Sequence, residues 1–280
     1  MTSLGPRSVS GVVVAHHEEA VIDRCLASLD GVVDELIVVH DGPCADQTLA
    51  IAERHGARVF VRPRSGNPEA HTVFAYEQAR GEWLLNIDAD EFLSPALHDA
   101  IRPLAADPLV NGYEFLWLMW DGERYITSEG PYKLALHRRL ATHLLGMLQS
   151  RERIDGTTRR LDLHLEHRPR YNNFTWGTMR RKWRRWARVH AVELTGAYAD
   201  IPKFNWDGPE DWPRWRRPLN WLAPVLFIPY LCALYIVFLR SGRSQLPPRQ
   251  NLRMAFFNTC YAALVQIEVI RQLHGGRLRR

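Results

Sequence analysis

The first hundred residues of this 280-residue chain predict an α/β fold built on a doubly wound, mostly parallel sheet. Three observations carry that prediction. Short β-branched runs alternate with stretches of helical periodicity. The runs are apolar almost throughout, as strands buried on both faces are. An acidic residue also recurs just past the end of three of those runs, where such sheets bind their ligands.

Taken in order, Val9–Ala15 reads as the first strand, and residues 18–29 as a helix with Val21, Ile22, Cys25, Leu26 and Leu29 on one face. Residues 35–39 form a second strand and 47–55 a second helix, stopped by Gly56. Arg58–Arg62 is a third strand, 70–79 a third helix and 82–87 a fourth strand. Strands joined through helices make right-handed parallel crossovers. Further on, 96–104 reads as a helix, and 112–120 and 133–137 as strands; 143–167 is mixed.

Composition bounds the rest. The chain is 46% hydrophobic and 24% charged, which excludes global disorder. A net charge of +5 implies a polyanionic partner without choosing among nucleic acid, anionic lipid and phosphates. Cys25, Cys44, Cys232 and Cys260 stand far apart, as expected of buried thiols in a reducing compartment. Residues 1–10 contain no apolar signal segment, so the front of the protein is expected in the cytoplasm.

The tail differs in kind. Residues 219–239 carry no charge and are flanked by Arg216, Arg217 and Arg240. At helical rise they span roughly 30 Å, about a bilayer core. Pro224 and Pro229 would break a soluble helix but are tolerated in membranes. A second apolar stretch, 252–273, is interrupted by Arg253, Glu268 and Arg271 and reads as interfacial. Membrane association is therefore expected for residues 216–280, with crossing left open, since arginines on both flanks give no orientation.

The chemistry concentrates at strand ends. Asp88-Ala89-Asp90 closes the run Trp83-Leu84-Leu85-Asn86-Ile87, and two-residue alternation would point both carboxylates to one side. Paired hard oxygens at that edge suit a divalent cation that also grips phosphate. Glu18 follows the first strand and Asp41-Gly42 the second, where an acid can equally serve a helix start or a turn.

Three motifs in order carry a resemblance: Val12-Val13-Val14-Ala15-His16-His17-Glu18-Glu19, Ile37-Val38-Val39-His40-Asp41-Gly42, and Ala79-Arg80-Gly81-Glu82 running through Asp88-Ala89-Asp90-Glu91. Together they resemble the family 2 inverting glycosyltransferases of the GT-A fold, a Rossmann-like architecture, and among these bacterial enzymes of lipopolysaccharide core and surface glycans. The resemblance implies a glycosyltransferase domain over 1–215, with a donor-binding half at about 8–105 and an acceptor half at about 106–215. It implies that Glu18 and Asp41 contact the donor nucleoside, that Asp88 sits near ribose and phosphates, and that Asp88 and Asp90 hold Mg²⁺ or Mn²⁺. Three features depart from the family pattern. His16-His17 stands for the usual aromatic-Asn, His40 for the usual Asp, and the loop from Asp41 to Thr48 is one residue longer.

An inverting transfer also needs a carboxylate to take the acceptor's proton. The candidates are Asp121, Glu129, Glu152, Asp155 and Glu166, and Glu152 is preferred; His167 is a candidate for the acceptor pocket. Six basic residues in 180–188, with Trp183 and Trp186, suit an anionic membrane surface. The expected partners are thus a nucleoside-diphosphate sugar and a lipid-linked or glycan acceptor at the cytoplasmic face of the cell membrane, with no nucleic acid. Two variants compete: transfer to polyprenyl phosphate, which needs no base, and a non-enzymatic basic module, which leaves the four aligned acids without purpose. A nucleotidyltransferase is disfavoured because residues 12–19 lack a Gly-rich basic signature.

Overall fold

A computed structural model of the chain describes residues 4–118, 120, 122–125, 131–146, 152–170, 175, 177, 183, 186–191, 201–206, 227–241 and 248–275. The chain divides into two compact units. Met1–Gly146, Ser150–Tyr171 and Pro202–Asp207 form the first, and Met147–Gln149, Asn172–Ile201 and Gly208–Arg280 the second.

In the first unit, β1 (Val9–Ala15), β2 (Glu35–Asp41), β3 (Arg58–Arg62) and β4 (Trp83–Asp88) run parallel, linked through α1 (Ile22–Ala27), α2 (Thr48–Arg54) and α3 (Pro68–Gln78). β5 (Glu91–Leu93), β6 (Gly112–Trp117), β7 (Tyr132–Arg138) and β10 (Thr158–His167) complete the sheet, and α4 (Pro95–Ala105) follows β5. Its order is β3-β2-β1-β4-β7-β6-β10-β5. A smaller sheet is formed by β8 (Thr142–Leu145), β9 (Arg153–Ile154) and β11 (Lys203–Phe204). The described residues of 143–167, a region mixed in the sequence reading, are therefore mostly strand.

β1 and β2 are buried nearly throughout, as their β-branched composition demands. Ile22, Cys25 and Leu26 of α1, Ile51 and Ala52 of α2, and Leu97 and Ile101 of α4 cover one face together with Trp83, Leu85 and Ile87. Val73 and Tyr76 of α3 cover the other with Val12, Ile37 and Leu84. The chain thus changes face between β1 and β4, and the crevice at that switch is where ligands bind.

The first helix starts at Ile22, four residues later than its periodicity predicts. The Glu18 carbonyl accepts from the amides of Val21 (3.0 Å) and Ile22 (2.9 Å), so residues 18–21 are spent on a turn.

The strand order forces curvature. Only Ala89 and Asp90 separate β4 from β5, and three virtual bonds reach at most about 11 Å. Three other strands intervene in the sheet, which laid flat would hold β4 and β5 roughly 19 Å apart. The β4–β5 half must therefore curl back on itself, closing around the side chains at the end of β4.

In the second unit α5 (Phe227–Ser241) and α6 (Pro248–Gly275) are the long helices among the described residues. Ala187 and Ala191 pack with Val265 and Val269, and the ring of Trp183 meets that of Tyr261 at 5.3 Å. Residues 219–226 of the apolar run lie outside the described residues, as do 180–182, 184 and 185 of the basic run. Pro229 falls in the first turn of α5, where proline costs no hydrogen bond. Among the described residues, no helix is long and apolar enough to cross a membrane.

Candidate active site

The carboxyl ends of β1, β2 and β4 lie together by register: Ala15 pairs with His40, and Val14 with Asp88. β4 ends at Asp88, and Ala89 and Asp90 form the turn into β5. Strand alternation therefore does not reach Asp90, and the two carboxylates acquire separate partners instead of standing as a pleated pair.

Asp88 Oδ2 lies 3.0 Å from Lys133 Nζ of β7. The same ammonium lies 2.6 Å from Oε2 of Glu91, which is fully buried. Glu91 also accepts from the Asp88 amide (2.7 Å) and from the Trp117 indole N–H (2.7 Å). Burial, and then the Asp88 charge, push the Glu91 carboxyl up to about 7. Burial would lower Lys133, but Asp88 and Glu91 outweigh it and hold the ammonium protonated. Enclosure would raise Asp88, and Lys133 more than offsets it, so this carboxylate stays ionised.

Asp90 Oδ2 lies 3.6 Å from His167 Nε2, and the His167 ring lies 4.3 Å from that of Trp117. The Asp90 carbonyl accepts from the Arg168 amide at 2.9 Å. The Arg168 guanidinium sits 5.1 Å from the ring of Trp120 and 5.4 Å from those of Tyr125 and Phe92. Beside the Asp90 turn the protein thus presents an aromatic cluster.

Glu152 meets β4 on the face that carries Leu84, Asn86 and Asp88. Its Oε1 accepts from Tyr76 Oη (3.1 Å) and Asn86 Nδ2 (3.3 Å). Burial raises this carboxyl above the usual range, although both hydrogen bonds and the nearby Lys133 charge oppose the shift. Behind it, Tyr76 Oη lies 3.3 Å from Nε2 of His137, whose Nδ1 lies 2.7 Å from Thr142 Oγ1. Burial pushes His137 down to about 3, so the ring is neutral at physiological pH.

Asp41 is buried, and its carboxylate is already occupied. It accepts from the amides of Ser65 (2.6 Å) and Gly66 (2.9 Å) and pairs with His71 Nε2 at 2.8 Å. Burial alone would raise it; the Ser65 amide, His71 and Arg64 together hold it below the carboxylate range. Its work in this geometry is to tie the 65–66 turn to the end of β2. Glu18 is half-buried, and its amide donates to Thr48 Oγ1 at 2.8 Å. Of the other base candidates, Glu166 is hydrogen-bonded by Tyr125, and Asp155 meets His143 Nε2 at 2.8 Å; Asp121 and Glu129 lie outside the described residues.

With this geometry in place, comparison with known proteins is decisive on one point. The family model Glycosyl transferase family 2 matches residues 10–186, well over half of the chain. The chain belongs to glycosyl transferase family 2. An uncharacterized glycosyltransferase of Rickettsia bellii is 39% identical over 113 residues, 40% of this chain and 38% of that protein. The lipopolysaccharide core biosynthesis glycosyltransferase LpsC of Rhizobium meliloti is 31% identical over 110 residues, 37% of this chain and 40% of that protein. The chain therefore spans about two fifths of the length of these relatives. Among solved structures, glucosyl-3-phosphoglycerate synthase of Mycobacterium tuberculosis is 20% identical, over 68% of this chain and 79% of that one, at a TM-score of 0.47. The mannosyltransferase PcManGT of Pyrobaculum calidifontis, solved with GDP-Man and Mn²⁺, is 17% identical over 96% and 87%, at a TM-score of 0.46.

Sequence reasoning set Asp88 and Asp90 of this family 2 member at one strand end and named Glu152 on the resemblance alone; the structure brings Glu152 to the same strand. It missed Lys133, Glu91 and Trp117, whose partnership depends on β5, β6 and β7 meeting through the curl. One signal was available for Glu91, an acid inside the apolar Phe92-Leu93 strand.

Proposed function

We propose that this family 2 member transfers a sugar, with inversion, from a nucleoside-diphosphate sugar to a hydroxyl of a lipid-linked or membrane-borne glycan. The observation that carries the reading is Glu152, a carboxyl raised by burial, on the same face of β4 as Asp88 and one pleat behind it. The donor's diphosphate lies in the β1–β4 crevice against Asp88 and Asp90. Among the described residues, the Asp90 carboxylate has the His167 ring, 3.6 Å away, as its ion-pair partner, whereas Asp88 shares Lys133, so hard oxygen donors remain for Mg²⁺ or Mn²⁺. Such an ion, when bound, offsets the charge that builds on the departing diphosphate.

Glu152 accepts the proton from the acceptor hydroxyl as the oxygen attacks the anomeric carbon. The bond from that carbon to the diphosphate oxygen breaks on the opposite face, and the electron pair leaves with the diphosphate. Asn86 and Tyr76 hold Glu152 in place for this step. The aromatic cluster of Phe92, Trp120 and Tyr125 offers apolar ring faces for an acceptor sugar. The role of the Rhizobium relative, in lipopolysaccharide core biosynthesis, is in keeping with a glycan acceptor. Association with a membrane surface, taken here as its cytoplasmic face, is in keeping with Ile228, Ile236 and Val237, exposed on α5, and with Leu252 and Phe256 on α6.

The test is binding of UDP, GDP, dTDP and CDP to the full chain, with and without Mg²⁺ or Mn²⁺, for wild type and Asp90→Ala. Metal-dependent binding of one nucleotide, lost in the variant, supports the reading. Absence of binding to every diphosphate in either metal overturns it.

A further inference from the structure

The three departures from the family pattern, His16-His17, His40 and the longer 41–48 loop, converge at one place, one strand removed from the Asp88–Asp90 turn. Ala15 of β1 pairs with His40 of β2, so the residues just beyond β1 lie against the loop after β2. The rings of His17 and His40 are 5.4 Å apart. One ligand atom each from His17, His40, Cys44 and Asp46 fall within 4.8 Å of one another. From this geometry we infer that the four side chains form a binding site for a borderline-soft divalent cation of the Zn²⁺ class.

Each member is set up for the role. His40 is fully buried, and its Nδ1 lies 2.6 Å from the Gly42 carbonyl oxygen. A carbonyl can only accept, so Nδ1 carries the proton and the Nε2 lone pair is left for a ligand bond. Metal-bound imidazoles are oriented by this kind of backbone contact on the second nitrogen. Among the described residues, Nε2 accepts a hydrogen bond from the His17 amide alone, at a long 3.3 Å, and the cation would replace that bond. The Cys44 thiol, half-buried, lies 3.2 Å from Asp46 Oδ1, and His17 Nδ1 lies 3.7 Å from the same oxygen. His17 adopts φ 55°, a left-handed conformation that is unfavourable for a non-glycine residue. That conformation brings its ring over the 40–46 loop.

The spacing fits a four-coordinate ion. Bonds of about 2.0–2.3 Å in a tetrahedron separate ligand atoms by roughly 3.3–3.8 Å. Contraction from 4.8 Å would fall mainly to Cys44 and His17, whose side chains are partly open to solvent. Two imidazoles, a thiolate and a carboxylate select Zn²⁺ over Mg²⁺ or Mn²⁺, which prefer the all-oxygen carboxylates of Asp88 and Asp90. Bound there, the ion would clamp the β1–α1 corner to the β2–α2 loop, one wall of the crevice. This inference concerns cation binding and rests on no step of the transfer reaction.

The experiment is a Co²⁺ titration of the full chain carrying Asp88→Asn and Asp90→Asn, which silences the carboxylate turn. Expected are a thiolate-to-Co²⁺ charge-transfer band in the near ultraviolet, intense visible bands of tetrahedral Co²⁺, and stoichiometric displacement of both by Zn²⁺. Cys44→Ser abolishes the charge-transfer band, and His17→Ala weakens binding by about tenfold or more. As a measurement needing no variant at the site, Zn²⁺ should protect Cys44 of the wild-type chain from alkylation, read by mass spectrometry. A titration without a charge-transfer band, a band that persists in Cys44→Ser, or alkylation of Cys44 unchanged by Zn²⁺ overturns the site.

Discussion

Lys133 Nζ lies 2.6 Å from Oε2 of Glu91, a carboxyl with no exposure to solvent. The pair stands directly behind the Asp88–Asp90 turn. Removing one partner of a buried pair leaves an uncompensated charge, which costs about 3–5 kcal/mol. Lys133→Met is therefore expected to lose stability of that order, and Lys133→Met with Glu91→Gln to recover a large part of it. Denaturant unfolding of the two single variants and the double variant gives the coupling directly.

Glu152→Gln tests the assigned base. General-base catalysis contributes roughly 10²–10⁴-fold, so sugar transfer should fall by that factor while nucleotide binding is retained. In the wild type, burial raises the Glu152 carboxyl, so the active ionised form gains population as pH rises through that raised value. The acidic limb of the rate profile should accordingly sit above the ordinary carboxylate range and vanish in the variant. An unchanged limb would assign the proton transfer elsewhere.

His137 makes stability depend on pH. Its folded value, about 3, lies below the unfolded value of 6.5, so between the two the unfolded chain binds the extra proton. The contribution of the neutral buried ring is complete above 6.5 and is lost as pH falls toward 3. The slope is at most about 1.4 kcal/mol per pH unit. His137→Gln should flatten this part of the stability curve, which thermal melts across the range would reveal.

Gly81 fixes the approach of the α3–β4 turn to β1. Its amide donates to Ser10 Oγ at 2.8 Å, and a Cβ at this position would stand 2.6 Å from that oxygen and 2.8 Å from the Ser10 amide nitrogen. Gly81→Ala should cost about 1–3 kcal/mol through overpacking. The turn lies at the amino end of β4, away from the crevice, so nucleotide affinity of the folded fraction should be unchanged.

The parallel half of the sheet was legible because burial on both faces writes itself as apolar, β-branched runs, and because the acids Glu18, Asp41 and Asp88 mark where those runs stop. The antiparallel half was harder. β8 and β9 span four and two residues, too short to display a period. β10 does alternate, with Leu161, Leu163 and Leu165 on one side and Asp162, His164 and Glu166 on the other, and that signal went unread. The partners of the Asp41 carboxylate were hidden because a sequence shows position and not occupancy. Its hydrogen bonds to Ser65, Gly66 and His71 come from residues 24 to 30 positions away. Glu152 was named on the resemblance, and its partners Tyr76 and Asn86 lie 76 and 66 positions away, beyond any local pattern.

The pairing of β5 with β10, His167 opposite Glu91 and Leu165 opposite Leu93, bears on how such a protein diversifies. A chimera cut near residue 105 would keep β5 with the front half while importing a foreign strand to sit beside it. The imported half would have to supply an edge that accepts Glu91–Leu93 and an amide for the Asp90 carbonyl, or the turn would lose its frame. Exchange of the back half by recombination is thus restricted to sources of a matching edge strand, whereas point changes in the aromatic cluster remain open to drift.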